Sequence, residues 1–105
     1  LDAADWALLP MALQRGDSRA MQGWSPAETV VTLLKVCHDM QLHQQGATPR
    51  FFLAKDLPAP GRLDVLSQWG RDLAHAMRTM EHPFNPGLMH EALLSQAKNA
   101  LNSRH

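Results

Sequence analysis

The stretch Asn85-Pro86-Gly87-Leu88-Met89-His90-Glu91-Ala92-Leu93-Leu94, running on to Leu101, constrains the fold more than any other part of the chain. Asn85 is placed to cap the open N–H groups of a first helical turn. Pro86 suits the first helical position, where its missing N–H costs nothing. Beyond it Leu88, Met89, Ala92, Leu93, Gln96, Ala97, Ala100 and Leu101 recur at three- and four-residue steps, which is one face of a helix. Such a stripe has to be buried, so the preceding chain must supply apolar walls.

Those walls are readable in order. Residues 2–15 read as a helix with Ala3, Trp6, Ala7, Leu9, Pro10 and Leu13 turned inward. Pro10 falls inside it, so either the helix bends there or a new one starts. Gly16 ends the segment, and Asp17 to Gly23 reads as a polar connection with room for one short turn around Arg19, Ala20 and Met21. Ser25-Pro26-Ala27-Glu28 has the form of a capping box, with Trp24 placed to staple onto the first turn. The helix that follows carries Val30, Leu33, Leu34, Cys37, Met40 and Gln41 on one stripe, runs to about Gln44 and closes at Gly46. Pro49, Pro58, Pro60 and Gly61 forbid a long regular element over 46–61. Residues 62–80 form another helix, with Leu63, Leu66, Trp69 or Gly70, Leu73, Met77 and Met80 as its stripe. Asp64, Gln68, Arg71, His75 and Arg78 make its solvated face. His82-Pro83 stops it, because the residue before proline is pushed out of helical backbone. Alternating strand patterns and internal repeats are absent from the sequence. The expectation is an all-α fold: one domain over 1–105, a compact bundle of four long helices plus one or two short ones.

Composition narrows the function. Ten Lys/Arg balance ten Asp/Glu, so no overall field draws phosphate backbones, although a local basic patch is compatible with neutrality. No apolar run reaches the roughly 20 residues of a membrane span. With neither a signal peptide nor a polybasic anchor visible, a cytoplasmic protein is expected. The chain begins inside a periodic segment without a starting methionine, which reads as a piece of a longer protein. The lone Cys37 rules out an internal disulfide and any cysteine-rich zinc site.

Residues with chemistry find bland explanations. His38 and His43 are five apart and diverge around a helix, and Asp39 with His43 would need a third ligand from elsewhere, so no metal or other cofactor is expected. Cys37 lies on the apolar stripe, and neighbouring helical residues point about 100° apart, so a Cys37–His38 nucleophile–base pair is disfavoured. Arg50, Arg62, Arg71 and Arg78 alternate in sequence with Asp56, Asp64 and Asp72, the pattern of an ordinary solvated face. Catalytic residues are expected to be none. Pro49-Arg50-Phe51-Phe52-Leu53 is an aromatic cluster in a loop. It either folds back to plug the core, the commoner fate of large apolar residues, or stays out as an interface patch. In the second case Phe51, Phe52 and Phe84, with Arg50 as a rim contact, are the candidate partner-binding residues.

Several pieces then fall in a telling order: Leu33-Leu34-Lys35-Val36-Cys37-His38-Asp39, Gly46 with Pro49-Arg50-Phe51-Phe52, Leu66 with Trp69-Gly70-Arg71, Glu81-His82-Pro83-Phe84-Asn85, and Glu91-Ala92-Leu93-Leu94. In this order they resemble the C-terminal domain of the delta-prime subunit of bacterial DNA polymerase III. The likeness extends over nearly the whole chain, most strongly from Trp24 to Leu101, and rests on order and spacing, since each motif is short. The resemblance implies a AAA+-type clamp-loader subunit whose helical C-terminal domain packs beside those of its companions in a collar. The loader opens the ring-shaped sliding clamp and places it on primed DNA in replication, driven by ATP on its motor subunits. The chain holds none of the AAA+ residues, so only the collar role carries over. That role implies partners in the C-terminal domains of the motor and delta subunits, without direct nucleic-acid binding. The alternative is a small helical nucleic-acid-binding domain; a small metal-dependent or thiol enzyme comes third.

Overall fold

The computed structural model describes residues 3–79 and 86–103. Four α-helices appear: α1 (Ala3–Arg15), α2 (Pro26–Gln44), α3 (Leu63–Arg78) and α4 (Pro86–Leu101), with one 3-10 turn at Ala54–Asp56. There is no strand among the described residues. α2 lies at the centre, packed most closely on α3 and also on α4; α4 in turn meets α1 and α3. One hydrophobic cluster draws on all four helices, with Leu13, Leu33, Met40, Leu66, Leu73 and Leu101 fully buried. Each such leucine stabilises the fold by about 1.5–3 kcal/mol relative to exposure.

The start of α2 follows its sequence. Ser25 takes extended backbone and its Oγ accepts the Glu28 N–H at 3.1 Å. Only half of the capping box forms, because the Glu28 side chain stays out in solvent. α2 is buried more widely than one stripe: Thr29, Thr32, Val36 and Asp39 join Val30, Leu33, Cys37 and Met40, while Leu34 and Gln41 are half-buried. Its central place explains this, since it has neighbours on more than one side.

α1 is one continuous helix through Pro10, whose ring is fully buried. The bond that a residue 10 N–H would make is lost, and burial of the ring among apolar neighbours offsets part of that. Gly16 ends α1 with φ +72°, backbone that residues with a Cβ rarely adopt. The connection after it is not wholly polar, because Met21 is fully buried.

α3 buries Leu66, Trp69 and Leu73, whereas Leu63 and Met77 at its ends are partly exposed. Its solvated face is as the sequence implies, with Asp64, Gln68, Arg71, His75 and Arg78 all exposed.

α4 is turned relative to the expected stripe. Leu93, Leu94, Ala97, Ala100 and Leu101 are buried, while Leu88 is 63% exposed and Ala92 and Gln96 face out. Rotation toward Leu94 buries one leucine and leaves another, Leu88, outside with Ala92 and Gln96, so the face is set by what α4 meets on α1, α2 and α3 and not by its own apolar content. The ends of the bundle are tied: Asn102 Nδ2 donates to the Gln14 carbonyl at 2.8 Å, and Ser103 Oγ accepts the Arg62 N–H at 3.1 Å. Gly61 lies so close to Ser103 and the Ala100 carbonyl that a Cβ there would collide. No helix of the described residues is long and apolar enough to cross a membrane. Met80, the His82-Pro83 stop and the Asn85 cap lie outside the described residues.

Candidate functional site

Asp39 organises the loop that follows α2. Its side chain is completely buried, and three successive backbone N–H groups converge on it. Oδ1 accepts from Arg50 at 2.9 Å, and Oδ2 accepts from Phe51 and from Phe52, each at 2.7 Å. Consecutive N–H groups of this kind form an anion-binding concavity, here filled by the chain's own carboxylate. The loop is therefore fixed, not draped.

The fixed backbone sends the two phenylalanines opposite ways. Phe52, 6% exposed, enters the core and stacks on Trp6 with ring centroids 4.5 Å apart and planes 6° from parallel. It is the plug, and it leaves the set of candidate partner contacts: a buried, stacked ring has no surface to offer. Phe51 stays out at 36% exposure. Its carbonyl accepts the Trp6 Nε1–H at 3.0 Å, so both its N–H and its C=O are held. Arg50 is exposed beside it, and Phe84 lies outside the described residues.

Basic side chains surround the Phe51 ring. Lys35 Nζ and the Arg50 guanidinium each stand over it at 5.5 Å, and His38 meets it edge-on at 5.9 Å. Lys35 also lies 5.8 Å above the Trp6 ring. Beside this cluster runs an open groove of about 440 Å³, lined by Val31, Leu34, Lys35, His38, Arg50 and Phe51 among others, with Cys37 and Gly70 where α2 meets α3.

Sequence reasoning found Arg50 and Phe51 and missed Trp6, Lys35, His38 and Asp39 as members of one cluster. A signal for Asp39 existed: it shares a helix face with Thr32 and Val36 at steps of four and three, so an acid falls in a buried register just before an irregular loop. Nothing in one dimension places Trp6 against residue 52.

The other candidate groups are occupied structurally. Cys37 is buried and its Sγ donates to the Leu66 carbonyl at 3.2 Å, and burial pushes its thiol pKa up to about 12. His38 points away to Phe51. Among the described residues no group of three or more His, Cys, Asp or Glu could hold a metal ion. Of the arginines, Arg62 pairs with Asp64 at 2.8 Å, and that hydrogen bond holds the Asp64 carboxyl below its usual pKa. Arg71 donates to Gln68 Oε1 at 2.8 Å, and Gln68 donates to Asp72. Arg50 belongs to the Phe51 cluster.

Fold and site together describe an all-α bundle that presents a fixed aromatic–basic patch beside an apolar groove. The chain matches no family model, and no curated protein or solved structure is detectably similar to it.

Proposed function

We propose that this chain is an assembly domain, the collar domain of a clamp-loader subunit of the DNA polymerase III delta-prime kind, working in the cytoplasm without catalysis of its own. The observation that carries the reading is Phe51. A buried carboxylate takes three backbone bonds, and the result is one aromatic ring held 36% exposed at a defined place. A large apolar side chain kept out by a rigid loop is what a partner surface requires. Val31, Leu53, Leu63 and Met77 are further exposed apolar side chains available to neighbours. The resemblance of the motif order to delta-prime C-terminal domains supports the choice of companions.

Native mass spectrometry of the chain mixed with the C-terminal helical domains of clamp-loader motor and delta subunits tests this. A defined hetero-oligomer is expected, burying about 800 Å² or more on each partner. A chain that stays alone beside every companion removes the reading.

Lys35, His38 and Arg50 around an aromatic ring favour one second reading, a nucleic-acid-binding domain. It requires DNA binding that weakens steeply with salt, and flat titrations at low salt dispose of it.

A further inference from the structure

Three of the larger grooves among the described residues differ in charge. The one between α3 and α4 is lined by Asp64 and Asp72 as well as Arg71. The one beside α1 balances Asp5 and Asp17 against Arg15 and Arg19. The Phe51 groove is lined by Lys35, His38 and Arg50 and by no carboxylate. Asp39 lies near it but does not line it, since both its oxygens are taken by the loop's backbone. In a chain with no net charge, this groove is the one of the three that joins basic side chains to an apolar floor, of Val31, Leu34 and Phe51, without a carboxylate in its lining.

We infer that the groove between α2, α3 and the Phe51 loop takes an acidic amphipathic helix from a partner protein, its apolar side chains against Val31, Leu34 and Phe51 and its carboxylates against Lys35 and Arg50. Charge complementarity selects the occupant, and an apolar stripe at three- and four-residue steps suits an open groove. A nucleic-acid strand fits less well. Three basic side chains in a chain without net charge offer little hold on a phosphate backbone. Gly70 is what keeps the groove open on the α3 side: a Cβ there would point at Cys37 Sγ and Gln41 Oε1 at ordinary contact distance, and a larger side chain would fill the space.

The inference rests on the assembly reading only in taking the partner to be a protein, and the two can fail separately. The probe is a fluorescein-labelled peptide of about four helical turns, with Leu at i, i+3, i+4 and i+7 and Glu at most other positions. Its counterpart carries Lys for Glu. Fluorescence polarisation with the 105-residue chain should show saturable binding of the acidic peptide, weakened by salt, and little binding of the basic one. Lys35→Glu with Arg50→Glu should weaken it about tenfold or more. Gly70→Leu should block it sterically without changing charge, and circular dichroism checks that each variant is folded. Arg50→Lys should retain most of the affinity. Equal binding of both peptides, binding untouched by Gly70→Leu, or tighter binding of an oligothymidylate strand lost in the same variants would each overturn the inference. If the acidic peptide fails while companion domains still associate, the groove proposal falls and the assembly reading stands. If the peptide binds and no companion does, the reverse holds.

Discussion

Asp39 is the residue on which the site turns. Its carboxylate serves three N–H groups of one loop, and removing it leaves those donors without their acceptor. An unsatisfied buried donor costs about 1–3 kcal/mol, so Asp39→Ala should destabilise the chain by about 3 kcal/mol or more in urea melts. Asp39→Asn, which keeps one carbonyl acceptor, should cost less. The amide of Phe52 should lose hydrogen-exchange protection in both. Equal stability of all three chains would mean that the loop is held by its rings alone. Cys37 gives a second residue-scale test, through pH. Burial raises its pKa from 9.0 to about 12, so the folded chain keeps a proton that the unfolded chain loses first. Its contribution is whole below pH 9.0 and is lost as pH climbs to about 12, at about 1.4 kcal/mol per unit. The stability gap between the chain and Cys37→Ala should therefore narrow across that window. A constant gap would show that the thiol is not shielded.

The four helices were legible to different depths. α2 was the clearest, because Ser25 and Pro26 are local chemistry: the cap needs only its own next turn, and it forms. The Asp64-to-Arg78 polar face of α3 was equally plain, since charged residues spaced around one side have only solvent to face. The inward face of α4 was not. Leu88, Leu93 and Leu94 are alike as side chains, and which of them is buried depends on the rotation that α1, α2 and α3 permit, a tertiary fact. Leu94→Ala should thus cost about 2–5 kcal/mol, and Leu88→Ala, at a mostly exposed position, within about 0.5 kcal/mol. Thermal melts that rank them the other way would reverse the assigned face of α4. The loop cluster was legible in kind and not in detail. An aromatic pair in a Pro-bounded loop admits a plug or a patch, and only the Asp39 contacts, 11 to 13 residues away, make it one of each.

At the scale of the whole molecule, the core and the exposed Phe51 patch are separate. Phe52, Trp6 and the four helices hold the bundle, which has a radius of gyration of 12.9 Å, close to the roughly 13 Å expected for a domain of this size. Phe51 and its basic neighbours contribute little to that core. A variant can then lose the surface and keep the fold, which is what an assembly domain allows and a structural plug does not. Sedimentation velocity tests this most directly, run on the chain and on Phe51→Ala, each mixed with the C-terminal helical domains of clamp-loader motor and delta subunits. The expected result is a faster-moving complex with the native chain, lost or much reduced in a Phe51→Ala variant that melts within about 1 kcal/mol of it. A native chain that sediments alone beside every companion, or a complex indifferent to Phe51→Ala, would contradict the account.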